Sequence, residues 1–164
     1  MSRAFVKEPD EGAPAEGLPE RPLSEHPNYV TPAGLRQLEA RVGELERRRL
    51  ELLDDDPDGE LAYVDRDLRY YAARLESAIP VAMARQPRRE VAFGAVVTVS
   101  QDGGRRQTFA IVGEDEADLE HGKISYISPL AEALLGARVG KTVLWRRPVG
   151  NLELTVEAIA YPEE

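Results

Sequence analysis

The densest set of residues that could do chemistry is Asp54-Asp55-Asp56-Pro57-Asp58-Gly59-Glu60. The run suits a solvated turn, because no core can be built from it, Pro and Gly stop helices, and Asp caps them. It also suits electrostatic use, as a negative tip facing a basic surface or channel. The sequence leaves both readings open. Little else offers chemistry. His26 and His121 are far apart and are expected in exposed loops. With no cysteine there is no disulfide, thiolate or cysteine metal site. No nucleophile–base pair is recognisable, and there is no Gly-x-x-x-x-Gly-Lys phosphate loop.

Two amphipathic stretches must position these acids. Leu35, Leu38, Val42, Leu45 and Leu52 form one apolar seam, whose missing position falls on Arg49. Leu61, Val64, Leu68, Tyr71, Leu75 and Ala78 form the other. Both follow the alternating three- and four-residue steps of a coiled coil. The pair reads as an antiparallel hairpin over residues 29–79, with the acids at its tip. Thr31-Pro32 supplies an N-cap and a first helical residue. The first helix is predicted to run to about Leu53, and the second from about Asp58 to Ile79, where Pro80 ends it. Arg47, Arg48 and Arg49 form a basic band below the tip. They are expected to pair with Glu44, Glu46 and Glu51, or else to steady the tip or touch a phosphate.

Composition narrows the function. A formal charge of −9 argues against tight, sequence-neutral DNA binding, which needs a basic face. A protein partner with a basic surface fits better. No apolar run is long enough to span a membrane, and no signal-like apolar segment opens the chain. A cytoplasmic location is the expectation. Residues 1–28, punctuated by Pro14, Pro19, Pro22 and Pro27, are expected to be a mobile tail.

Beyond a linker at 80–90 the periodicity changes from helical to β. Strands are predicted at 91–100, 107–112, 123–127, 139–145 and 152–159, with a turn at Asp102-Gly103-Gly104. Ser128-Pro129 opens a short helix that Gly136 ends. The acidic loop Glu114–Asp118 reads as solvated. The fold class is therefore α+β: a helical hairpin followed by a small β-rich domain over 91–162 with one short helix.

The order of these parts, and several segments within them, resemble the Gre family of bacterial transcript-cleavage factors. The carrying segments are Tyr29-Val30-Thr31-Pro32-Ala33-Gly34-Leu35, Val91–Val99, Ile111-Val112-Gly113-Glu114-Asp115-Glu116-Ala117-Asp118, Ile124-Ser125-Tyr126-Ile127-Ser128-Pro129-Leu130 and Ala133-Leu134-Leu135-Gly136. The resemblance implies a coiled coil followed by a C-terminal domain of FKBP-like fold without isomerase activity. It implies an accessory factor, not an autonomous enzyme. Its partner is RNA polymerase, bound beside the secondary channel through the turn that here reads Ile124, Ser125, Ser128 and Pro129. Nascent RNA and DNA would be met only within the elongation complex. Tip acids, here Asp54, Asp55, Asp56, Asp58 and Glu60, would help hold a Mg²⁺ shared with the polymerase active site, so that backtracked transcripts are cut; Asp56 and Asp58, flanking Pro57, would stand first among them as metal ligands.

The family's tip motif, an Asp and a Glu three apart before Asn-Ala-Glu-Tyr, is absent. Matching the family's Tyr-x-Ala-Ala-Arg to Tyr70–Arg74 would put its functional acids on Tyr63 and Arg66, which cannot serve as such ligands. Matching helix ends instead keeps both seams in register and places the tip at Asp54–Glu60. Each arm is then shorter than the family's by roughly nine residues, or about 14 Å at helical rise. This leaves two readings within the family, a cleavage-promoting factor and a binding-only regulator of the channel. A proline isomerase built on the β domain is a third reading. It is disfavoured by the few aromatics there.

Overall fold

The structure, a computed structural model, describes residues 18–102 and 104–163. It divides into two compact units. One holds Leu38–Glu76 with the described residues up to Glu25, and the other holds His26–Gln37 with the described residues from Ser77 onward.

Helix α1 (Pro32–Asp54) and helix α2 (Leu61–Ser77) form the hairpin, which the first unit holds from Leu38 to Glu76. Leu45, Leu52 and Val64 are buried, with Leu61, Leu68 and Tyr71 packed against them. Cross-hairpin pairs fix the antiparallel register: Arg41 over Tyr71, at 5.5 Å, Arg49 to Asp65, at 2.8 Å, and Arg48 to Glu60. The position at which the first seam lapses is therefore an ion-paired one. A polar residue set into an apolar seam specifies register at some loss of stability.

The N-terminal segment differs from expectation. Residues 1–17 of the expected tail lie outside the described residues, but residues 18–28 are placed against the fold. The Arg21 guanidinium stacks 3.9 Å from the Tyr70 ring centroid and lies 3.4 Å from the Asp67 carboxylate. Glu20 takes the Arg69 guanidinium on both oxygens. A proline-rich stretch has little apolar surface to bury, but cation–π stacking and ion pairing supply the contacts that composition hides.

The second unit is built on a five-stranded sheet of order β5-β4-β3-β7-β6. Its strands are β3 (Val96–Gln101), β4 (Arg105–Val112), β5 (Lys123–Ser125), β6 (Thr142–Trp145) and β7 (Leu152–Ala160). Within this sheet β4 and β5 pair in parallel and the other neighbours antiparallel. One face carries Val97, Val99, Ile111, Val143, Leu154 and Val156 into the core, where Leu130, Ala131 and Leu134 of helix α3 (Pro129–Leu134) join them. Thr98, Thr108, Thr142 and Thr155 lie off that core and pair by hydroxyl, at 3.2 Å and 2.9 Å. This is the period-two alternation of a sheet buried on one side.

Two short strands, β1 (Tyr29–Val30) and β2 (Ile79–Pro80), pair in parallel. They correct the expected end of the second helix. The helix stops at Ser77, before Ile79, because the Ile79 N–H donates to Asn28 O at 2.8 Å and the Val81 N–H to Val30 O at 3.0 Å. The expected linker is also structured. Met83, in a 3-10 turn, is buried in the β-domain core against Gly94, where a Cβ would stand 2.3 Å from its sulfur.

Candidate functional site

The acidic turn is a tightly engaged structure. Asp56 folds both carboxylate oxygens back onto the start of α2, accepting from Glu60 N at 2.7 Å and Leu61 N at 3.1 Å. These N–H groups have no partner inside the helix, and a carboxylate there also meets the positive end of the helix dipole. Gly59, at φ +69°, makes the reversal that lets Asp56 reach them. Glu60 accepts from Arg48 Nε and Nη2, while Arg48 Nη1 donates to Glu51 at 2.9 Å. The Arg48 hydrogen bonds hold the Glu60 carboxyl below its ordinary pKa, and Glu60 with Glu51 pushes the Arg48 guanidinium up. Arg48 thus ties the basic band to the tip, beyond its expected partner Glu51.

Asp54, Asp55 and Asp58 remain exposed. Among the described residues, no group of three His, Asp or Glu side chains stands together as a metal site. Of the two first-choice ligands, Asp56 is engaged as a helix cap and Asp58 stands apart from it in this role.

The turn after β5 is divided as well. Ile124 is a core residue, buried between β4 and α3, and is no surface contact. Ser125 O accepts from Ser128 N at 2.9 Å, and Ser128 Oγ accepts from Ala131 N at 3.2 Å to cap α3. Pro129 is exposed at the first helical position. Beside this turn the rings of Tyr29, Phe93 and Tyr126 form a trio with centroids 5.6–6.0 Å apart.

Sequence reasoning missed Glu116. The loop around it reads as solvated, yet Glu116 is buried. One of its oxygens accepts from Thr31 N at 3.1 Å and Gly113 N at 3.0 Å, and the other from the Thr31 hydroxyl. Thr31 Oγ1 in turn accepts from Gly34 N at 3.0 Å, capping α1. Gly34 faces the carboxylate so closely that a Cβ there would stand 2.1 Å from Glu116 Cδ. The only sequence signal was that Thr31, Gly34, Gly113 and Glu116 all fall within the segments that carried the family resemblance. His121 behaves as expected, exposed and 2.6 Å from Asp118, whose carboxyl its hydrogen bond lowers.

Residues 86–161 match the family model described as "Transcription elongation factor, GreA/GreB, C-term". The transcription elongation factor GreB of Neisseria meningitidis serogroup B is 36% identical over 157 residues, covering 84% of this chain and 96% of that protein. The chain belongs to the GreA/GreB family of transcription elongation factors. The GreB of Pseudomonas aeruginosa is 33% identical over 151 residues, covering 81% of this chain and 90% of its own. Among solved structures, a GreA/GreB factor from Nitrosomonas europaea aligns with a TM-score of 0.42 at 21% identity, covering 81% of this chain and 98% of that one. The Neisseria alignment also carries a length difference. Its 157 positions use 84% of the 164 residues here, about 138, so about 19 positions of that GreB face no residue of this chain.

Proposed function

We propose that this chain binds RNA polymerase beside its secondary channel and modulates elongation by occupying that channel with its helical hairpin, as an accessory factor without chemistry of its own. Family membership supports the partner, and a factor working on bacterial polymerase works in the cytoplasm. The β-domain would dock through the surface around Ser125, Ser128 and Pro129. The hairpin would present Asp54, Asp55 and Asp58 as negative charge to the basic channel.

The observation that carries the binding mode over cleavage is the Asp56 carboxylate, both of whose oxygens face the amides of Glu60 and Leu61. A ligand donated to a shared Mg²⁺ would have to leave that cap.

The deciding experiment measures transcript cleavage in a backtracked elongation complex, with polymerase binding measured in parallel. The parent protein is expected to bind and to leave the cleavage rate unstimulated while altering elongation or competing with other channel ligands. The triple variant Asp54→Asn, Asp55→Asn, Asp58→Asn is expected to bind more weakly, most visibly at low salt. Stimulated cleavage that this variant loses while still binding would overturn the channel-occupying reading in favour of working tip ligands. Absence of binding by the parent protein would overturn the partner.

A further inference from the structure

The root of α1 has an unusual cap. In a capping box, the N-cap Ser or Thr bonds the N–H of the third helical residue, and a Glu or Gln at that third position reaches back to the N-cap N–H. Here Thr31 is the N-cap and makes the first bond, to Gly34 N. The third position, however, is Gly34, which has no side chain to return. The return bond comes from Glu116, whose Oε2 accepts from Thr31 N. Gly34 is also the residue that makes room, since any Cβ there would overlap the Glu116 carboxylate.

Glu116 closes its own 3-10 turn by the same logic, its Oε2 accepting from Gly113 N. One buried carboxylate thus serves two N-termini, one in each of two segments far apart in the sequence. Gly113 is confined too: a Cβ there would stand 2.4 Å from Tyr29 O.

We propose that Glu116 is a positioning residue. It completes the α1 capping box in trans, and by doing so holds the first turn of α1 against the loop that follows β4, within the second unit, and the effect of the factor on bound polymerase depends on that hold. This rests on the polymerase reading above and deepens it. The partner surface is unchanged. What Glu116 governs is the effect the bound factor exerts.

The test has two arms, and the chain's lack of cysteine permits site-specific labelling in the first. In the first, spin labels are placed on the exposed pair Gln37→Cys and Gln107→Cys, both within the second unit, and their distance distribution is measured in the free protein. A single narrow distance is expected in the parent. A broadened or displaced one is expected in Gly34→Ala and Glu116→Ala, with Glu116→Gln, which keeps one acceptor, between them. In the second arm, the effect on elongation is titrated against factor concentration for each folded variant. The expected result is a maximal effect reduced at least about tenfold with half-saturation changed less than about twofold, the signature of lost positioning rather than lost binding.

An unchanged label distance in Glu116→Gln and Gly34→Ala overturns the lock. An unchanged maximal effect in a variant whose distance has moved overturns its functional role. A parent protein that fails to bind polymerase overturns the proposed function, while the label arm still decides whether Glu116 holds the root.

Discussion

The acidic turn at Asp54–Glu60 and the acidic loop at Glu114–Asp118 look alike in composition and differ in what their carboxylates do. The first is the conspicuous one, yet its best-placed acid, Asp56, caps the helix that follows it in sequence. The second reads as ordinary solvated loop, yet Glu116 is buried and reaches a helix N-terminus from another part of the chain. Both carboxylates answer the same demand, the unpaired N–H groups that open every helix. They differ in range. A local cap stabilises its own helix, whereas a distant one also fixes where that helix stands on another element.

The comparison breaks most readily at Glu116. Glu116→Ala leaves the N–H groups of Thr31 and Gly113 buried without a partner, at about 1–3 kcal/mol for each unsatisfied group. The β-domain's unfolding free energy is expected to fall by about 3 kcal/mol, read by denaturant titration. Next in size is a pair of glycines on one helix. Replacing an interior helical Gly by Ala ordinarily gains up to about 1 kcal/mol. Gly43→Ala should show that gain, because the nearest atom to its new Cβ is the end of the flexible Arg47 side chain at 3.5 Å. Gly34→Ala should reverse the sign and lose about 2 kcal/mol, since the displaced Glu116 gives up its buried hydrogen bonds. Equal responses at the two glycines would remove the lock from the account.

Local order was the legible part of this protein. The seam spacing gave both helices and their pairing. Thr31-Pro32 marked the start of α1, and Ser128-Pro129 the start of α3, because caps and first-turn prolines act within a few residues. The alternation after Val91 gave the strands. What escaped had partners distant in sequence. Glu116 has no periodicity to announce it. Arg21 lies in a segment whose prolines and acids suggest mobility, yet Tyr70, Tyr71 and Asp67 receive it. The end of α2 was set two residues early by Asn28 and Val30, which the sequence places about fifty residues away. At the candidate site, the spacing of the acids was readable but their engagement was not. Whether a carboxylate is free depends on which N–H or guanidinium stands opposite it.

The local cap at the tip contributes less. Asp56→Ala removes a cap from half-buried helix amides and should lower the hairpin's stability by about 1 kcal/mol. Asp58→Ala, next to it in the same turn and exposed, should change stability by less than about 0.5 kcal/mol. Thermal unfolding followed by helical circular dichroism would separate them. Equal losses would mean that the turn acts through its net charge and not through the Asp56 cap.

The smallest effect belongs to the Arg48–Glu60 pair and is best read against pH. In the folded protein the Arg48 hydrogen bonds hold Glu60 below the ordinary glutamate range, while the unfolded chain titrates within that range. The folded state therefore releases this proton more readily, and the pair's contribution is complete above the ordinary glutamate pKa. It is lost as the pH falls through the lowered folded value, where both states carry the proton. Glu60→Gln should flatten that part of the acid dependence of hairpin stability and leave the neutral-pH region little changed, because the pair is solvent-exposed and such pairs contribute little. The Asp56 cap acts on neighbouring amides and persists in this variant. An acid profile unaltered by Glu60→Gln would leave Asp56 as the sole carboxylate organising the tip. The contrast between local and distant caps would then rest on Asp56 and Glu116 alone.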